Sequence, residues 1–133
     1  MWKKEALSSS QAYYSQEDFT VKPDHSKKKL FVTFPYPYMN GRLHLGHAFT
    51  ISKVEFIARY YRQKGYQVLF PFSFHGSGTP IFSMAKRVSE KDKKAIDNLI
   101  KQGVKEEDIK EFEDPYHWIK YFSQKAKEDI KRL

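Results

Sequence analysis

Two short apolar segments flank an amphipathic stretch, and this order constrains the fold of the 133-residue chain more than any other feature. Leu30–Phe34 is a β-prone run that stops at Pro35, and Gln67–Phe70 is a second run that stops at Pro71. Each strand is predicted to end at its proline, because proline has no amide hydrogen to donate to a central sheet ladder.

The segment between the two strands has the spacing of a helix. Its apolar residues recur at steps of three and four: Ala48, Ile51, Val54, Ile57 or Ala58, and Tyr61. Basic residues followed by Gly65 predict the end of this helix. A crossover of this length between two strands predicts that they pair in parallel, as a βαβ unit in an α/β fold.

The rest of the chain is predicted to be helical. Ser89, with Asp92 three residues later, predicts the start of one helix, which ends at Gly103, and a short helix is expected at 106–112. Asp114 and Pro115 predict the start of a last helix. We therefore expect three regions: an N-terminal arm (1–29), a βαβ region (30–85) and a helical region (86–133), which together form a fragment of a larger protein.

Composition excludes several classes of protein. The chain has no cysteine, so it has neither a disulfide framework nor a thiolate metal site. It has no apolar run long enough to span a bilayer and no signal-peptide core, so we expect a soluble, cytoplasmic protein without a membrane partner.

Positive charge is concentrated in the first part of the chain. Residues 1–85 carry 11 Lys and Arg against 5 Asp and Glu, whereas residues 86–133 carry 13 against 11. The overall charge of +8 favours a polyanionic partner such as RNA or a nucleotide. Surface lysines that serve only solubility would explain the same excess.

The segment 34–47 (FPYPYMNGRLHLGH) carries the candidate chemistry. It follows the first strand, and ligands of parallel α/β sheets bind outside the carboxyl ends of the strands. His44 and His47 lie three residues apart at the start of the helix, whose N-terminus favours a phosphate group. Gly46 permits close approach of a ligand to the backbone. A metal site is one alternative for the two histidines, although no third ligand has suitable spacing, and a structural role would explain one of the two.

Two loops are predicted to share the same edge of the sheet. Prolines stiffen the aromatic segment 34–38, so Phe34 and Tyr36 are candidates to line a pocket for a small apolar ligand, or to pack on the core. The segment 74–80 follows the second strand and contains two glycines. Its His75 could contact an amino or carboxylate group of a substrate, or be a loop histidine without such a role.

Several motifs together resemble the class I aminoacyl-tRNA synthetases. HLGH at 44–47 is similar to the HIGH signature of that family, and NGRLHLGHA at 40–48 resembles the subgroup for leucine, isoleucine, valine and methionine. The segments 30–47, 71–81 and 106–133 are most similar to the leucine branch, as found in eukaryotic and archaeal cytosolic enzymes.

The resemblance implies a fold, a reaction and a set of site residues. The fold is the first half of a Rossmann-like parallel sheet with a HIGH-type nucleotide site. The reaction is ATP-dependent activation of leucine to leucyl-adenylate, with Mg²⁺, followed by transfer to tRNA(Leu) in protein synthesis. For ATP binding, the resemblance implies Asn40, Gly41, His44, Gly46 and His47, of which His44 and His47 are catalytic. For binding of the amino acid, it implies Phe34, Pro35, Tyr36 and His75.

The second signature of that family, Lys-Met-Ser-Lys-Ser, does not occur in these 133 residues. We therefore expect little activity from this chain without the remaining portion of a synthetase. Three other readings stay open: a catalytically incomplete module that binds nucleotide or RNA, an isoleucyl, valyl or methionyl type of synthetase, and another nucleotidyltransferase with an HxGH turn.

Overall fold

The computed structural model describes residues 22–132, so most of the arm predicted for residues 1–29 lies outside the described part. Strand β1 (Lys29–Phe31) is followed by helix α1 (Leu45–Gln63) and strand β2 (Gln67–Leu69). The two strands pair in parallel, with Lys29 opposite Gln67 and Phe31 opposite Leu69. The predicted βαβ unit and the α/β class are thereby confirmed.

The strands are shorter and more exposed than the sequence predicted. The first was expected to be a buried strand over Leu30–Phe34, but Phe31 is 61% exposed and β1 ends there. Val68 is buried, whereas its neighbour Leu69 is 48% exposed. Successive side chains of a strand point to opposite faces. Among the described elements α1 packs against β2, which leaves the other face uncovered.

Helix α1 follows the predicted apolar stripe with one choice resolved. Ala58 is fully buried and Ile51 is 7% exposed, whereas Ile57 is 47% exposed. Gly65 adopts a positive φ of 81° two residues beyond the helix, as its place in the sequence predicted.

Helix α2 (Thr79–Ser89) was not predicted, because Gly78 and Pro80 are residue types typical of a loop. Pro80 is the second residue of α2, where a helix does not use the missing amide hydrogen. The buried residues Ile81, Ala85 and Val88 have helical spacing and would have indicated this helix.

Three further elements complete the described chain: α3 (Lys93–Lys101), a 3-10 helix (Glu106–Glu113) and α4 (Pro115–Ile130). The prediction that Ser89 begins α3 is wrong, since Ser89 is the last residue of α2 and its hydroxyl donates to the Lys86 carbonyl at 2.7 Å. Asp92 caps α3 instead, by accepting from the Lys94 amide at 2.8 Å. Asp114 caps α4 through the Tyr116 amide at 2.9 Å, as predicted.

The helical elements share one apolar core, which we call the helical core. Trp118 and Phe112 lie at its centre, and the Trp118 indole donates to the Phe112 carbonyl at 2.7 Å. Met39, from the segment after β1, is completely buried in the same core. The helical core consists of Met39, Ile81, Ala85, Val88, Ala95, Leu99, Val104, Phe112, Trp118, Phe122 and Ala126. The helical region therefore holds part of the segment that carries the candidate chemistry.

Within residues 22–132 no helix has the length and apolar character needed to cross a membrane.

Candidate active site

The segments that follow β1 and β2 lie side by side, as predicted. Tyr38 and His75 form a parallel bridge beyond the two strands. The His75 amide donates to the Pro37 carbonyl at 2.8 Å, and the Met39 amide donates to the His75 carbonyl at 3.2 Å. The carboxyl ends of both strands therefore lead into one site.

The His75 ring stacks on a tyrosine. Its centroid lies 4.1 Å from that of Tyr38, with 19° between the planes. The sequence reasoning assigned His75 to a substrate group and did not identify this contact. Tyr38 covers a face of the imidazole and not its edges. The ring nitrogens, which lie at the edge, can therefore still bind a polar group.

An aromatic cluster lies behind the proline-rich segment. Phe34 is buried and contacts the rings of Tyr36, Phe70 and Phe72 at centroid distances of 5.8, 6.0 and 5.0 Å. Tyr36 is half-buried and Pro35 is exposed. Phe34 is therefore the buried ring of this cluster, and Tyr36, Phe70 and Phe72 are only half-buried.

The two histidines of HLGH converge, but they do so by capping the helix. His44 lies before α1 in an extended conformation, and its Nδ1 accepts from the Gly46 amide at 3.1 Å. The Nδ1 of His47 in turn accepts from the His44 amide at 3.2 Å. The ring centroids are 3.9 Å apart. The sequence predicted both histidines at the start of the helix, and the structure makes His44 its N-cap residue.

This reciprocal capping box fixes where the imidazole protons lie. A nitrogen that accepts a hydrogen bond carries no proton, so both Nδ1 atoms are unprotonated and each neutral ring bears its proton on Nε2. Burial lowers the pKa of His47 below its ordinary value of 6.5, and the neighbouring His44 lowers it further. The pair therefore presents Nε2–H donors at the positive end of α1, which suits phosphate oxygens.

At Gly46 and at Gly41, a side chain would crowd the side chain of another residue. A Cβ at Gly46 would lie 3.0 Å from Cε1 of His44, so the absence of a side chain makes room for the capping imidazole. The Gly46 amide donates to that imidazole. A Cβ at Gly41 would lie 2.7 Å from Oε1 of Gln102, and Asn40 beside it is half-buried.

A cavity of about 660 Å³ lies between α1, the segment after β2 and the end of α4. It has an aromatic wall and a charged rim, and it is lined by Ile51, Ser52, Glu55, Arg59, Arg62, Phe70, Phe72, Phe74, Gln124, Lys127, Glu128, Ile130 and Lys131. None of the sequence-predicted site residues lines it. The histidine pair and this cavity are therefore separate features of the surface.

Three residues that sequence reasoning missed hold the segment before His44 in place. Arg42 forms an ion pair with Asp129, with 2.6 Å between Nη2 and Oδ1. The backbone amide of Arg42 donates to Oε1 of Gln102 at 2.7 Å. No local signal could have found these partners, because they lie 87 and 60 residues away in the sequence.

Across residues 22–132, no group of three or more histidine, cysteine, aspartate or glutamate side chains is placed to hold a metal ion.

Comparison with known proteins decides the family. The sequence model for tRNA synthetases class I (I, L, M and V) matches residues 7–133. This chain belongs to that family. The resemblance stated from the motifs is thereby confirmed for this class I chain.

The curated relatives that this class I chain matches include several leucine–tRNA ligases. It is 52% identical over 106 residues to the leucine–tRNA ligase of Nanoarchaeum equitans, and 46% identical over 114 residues to that of Aeropyrum pernix. These matches cover 80% and 86% of the chain. The probable cytoplasmic leucine–tRNA ligase of Encephalitozoon cuniculi is 45% identical over 118 residues, which is 86% of the chain. The class I chain spans between 11 and 14% of the length of these relatives.

Proposed function

We propose that this class I chain forms the ATP- and leucine-binding half of a leucine–tRNA ligase active site. The observation that carries the proposal is the imidazole pair at the start of α1, with ring centroids 3.9 Å apart and both Nε2–H groups set as donors. The names of the relatives support leucine as the amino acid.

In the proposed reaction a carboxylate oxygen of leucine attacks the α-phosphorus of ATP, the bond to the β-phosphate oxygen breaks, and pyrophosphate leaves. His44 and His47 donate hydrogen bonds to phosphate oxygens and stabilise the charge that develops on them. Asn40, Gly41 and Gly46 shape the backbone around the nucleotide. Mg²⁺ is expected to accompany ATP.

The amino-acid site is assigned to the aromatic segment and its neighbour. Phe34 and Pro35 fix the backbone, Tyr36 offers an apolar surface to the leucine side chain, and His75 faces the polar end of the amino acid. The short distance between the segments after β1 and β2 supports one shared site. The leucyl-adenylate formed in this step then transfers its leucyl group to a hydroxyl of tRNA(Leu), and AMP leaves; this transfer needs the remaining portion of the synthetase.

Further parts of the proposal concern the fold and the cell. The two parallel strands are assigned to the first half of a Rossmann-like sheet, within a catalytic region at 30–85 that follows an arm at 1–29. The helical region at 86–133 supports it. A cytoplasmic location is proposed, since one relative is named a cytoplasmic enzyme.

The test is calorimetric titration of the chain with stable analogues of leucyl-, isoleucyl-, valyl- and methionyl-adenylate. We expect the leucyl analogue to bind at least tenfold more tightly than the others. A folded chain that bound all four equally would contradict the leucine assignment. A folded chain that bound none of them would contradict the proposed site.

A paired titration with MgATP tests the histidines. His47→Ala is expected to weaken ATP binding about tenfold, as expected for loss of one charge-assisted hydrogen bond. His25→Ala serves as the matched control, because His25 is an exposed histidine in the turn before β1. Equal losses in both variants would remove His47 from the site.

A second candidate is a module that binds nucleotide or RNA without catalysis, and the net charge of +8 favours it. Exchange of labelled pyrophosphate into ATP, with leucine present, separates the two. Exchange above the background of a His44→Ala, His47→Ala double variant supports the enzyme. Binding of ATP or RNA by a folded chain that does not bind the leucyl-adenylate analogue supports the module.

A further inference from the structure

The three residues immediately before His44 are each held by the helical region. Gly41 packs against the side chain of Gln102, whose Oε1 also accepts from the Arg42 amide at 2.7 Å. Leu43 packs against the helical core. The backbone that enters α1 is therefore held at consecutive positions before it reaches His44.

The strongest of these contacts is the ion pair between Arg42 and Asp129, in the last turn of α4. Two bonds form it: Nη2 to Oδ1 at 2.6 Å and Nε to Oδ2 at 3.3 Å. A guanidinium that binds both oxygens of a carboxylate fixes orientation as well as distance. The side chains are 37% and 24% exposed, so solvent only partly screens the pair. The adjacent Glu128 is paired with Lys125 at 3.1 Å, which leaves Asp129 as the carboxylate that holds Arg42.

The capping box depends on where this backbone is held. His44 must stay extended for its Nδ1 to reach the Gly46 amide, and its own amide must face Nδ1 of His47. These bonds are exposed and 3.1 to 3.2 Å long, so they are weak on their own. A loop free to move would exchange them for bonds to water.

We propose that Arg42, Asp129 and Gln102 are positioning residues that hold His44 and His47 in the arrangement with both Nε2–H groups available as donors. They contact neither substrate in this assignment; they act through the backbone at 41–44. The consequence for ATP rests on the proposed function. The consequence for the positions of the imidazole protons is independent of the proposed function, because it requires no ligand.

The decisive measurement is nitrogen NMR of the histidine side chains in the chain labelled with ¹⁵N-histidine. In the unaltered protein, His44 and His47 are expected to show protonated Nε2 and unprotonated Nδ1 at pH 7.5. Asp129→Asn, which removes the charge and keeps the shape, is expected to give mixed tautomers at both residues. MgATP affinity is expected to fall about tenfold in the same variant, since misplaced groups cost up to about a hundredfold.

Glu55→Gln is the matched control. The Glu55–Arg59 pair also has a 2.6 Å contact and similar exposure, but both of its residues lie within α1, beyond His47. This variant is expected to keep the tautomers and the ATP affinity of the unaltered chain. If Asp129→Asn does not fold, Arg42→Lys decides by the same spectra, because lysine keeps the charge and loses the fork.

The outcomes separate the two proposals. Unchanged tautomers in folded Asp129→Asn overturn the positioning role, whatever the ATP affinity. Protonated Nδ1 atoms in the unaltered chain overturn it as well. Mixed tautomers in Asp129→Asn, together with no ATP binding by the unaltered chain, support the positioning role and contradict the proposed function.

Discussion

At the scale of single residues, Gly46 shows how one missing side chain allows a functional geometry. The capping imidazole of His44 occupies the space that a Cβ at this position would enter. The HLGH motif thus requires glycine at position 46 because the ring of His44, in the same motif, packs against it. This reason is independent of any ligand.

Gly46→Ala is expected to change binding more than stability. Alanine is favoured over glycine in a helix by about 0.8–1 kcal/mol, whereas loss of an N-cap costs about 0.5–2 kcal/mol. The two effects oppose each other, so the free energy of unfolding in urea should change by no more than about 1 kcal/mol. MgATP affinity should fall about tenfold, because the His44 ring is displaced. An ATP affinity equal to that of the parent would show that the His44 ring position is unimportant.

At the scale of elements, α1 differs from α3 and α4 in how it begins. Aspartates cap α3 and α4, but two imidazoles cap α1. An aspartate accepts hydrogen bonds over a wide pH range, whereas an imidazole accepts at Nδ1 only while that nitrogen is unprotonated. The start of α1 is therefore the element boundary most sensitive to acid near neutral pH.

The lowered pKa of His47 determines whether the protein becomes more or less stable as the pH falls. In the unfolded chain the pKa of His47 is about 6.5, whereas in the folded chain it is lower. Between these two pKa values, the unfolded chain therefore binds more protons than the folded chain. The free energy of unfolding should therefore fall as the pH falls below about 6.5. His44 faces His47 and reinforces the trend, since its charge would lower the pKa of His47 further.

Thermal unfolding at several pH values from about 7.5 to 5.5, above the range of ordinary carboxylates, measures this dependence. The decrease should be smaller in His47→Ala and should persist in His25→Ala. A His47→Ala chain with the same pH dependence as the parent would contradict the role of His47 in this dependence.

The start of α2 could not be predicted from its residue types, since Gly78 and Pro80 are typical of a loop although they begin this helix.

At the scale of the whole molecule, the main apolar core lies among the helices and not over the small sheet. Met39 connects the two, because it leaves the segment after β1 and is fully buried in the helical core. Helical packing and site geometry are thereby linked through one side chain as well as through Arg42.

Met39→Ala is expected to lower the free energy of unfolding by about 2–5 kcal/mol, the usual cost of such a cavity. It should also weaken MgATP binding at temperatures where the chain remains folded. Met84→Ala is the control, since Met84 packs on the same core from α2 and is only partly buried. Urea unfolding and calorimetry measure the two effects. Loss of stability with unchanged ATP affinity would show that the core does not hold the site.

The sequence by itself determined the features that depend on near neighbours. The order strand, helix, strand follows from the spacing of apolar residues, and the cap of α4 follows from Asp114 and Pro115. The HLGH motif lies in the segment 34–47, and the family resemblance used this region together with the segments 71–81 and 106–133. Such signals act within one or two turns of chain, so they can be interpreted without knowledge of the fold.

Only the tertiary structure decided the features that join distant segments. The stacking of His75 on Tyr38, the partner of Arg42 and the burial of Met39 each connect elements that no local pattern relates. The capping role of His44 also needed coordinates, because the sequence gives its place near the helix start but not its backbone angles. Contacts of this kind depend on how the helices pack, and packing is a property of the whole chain.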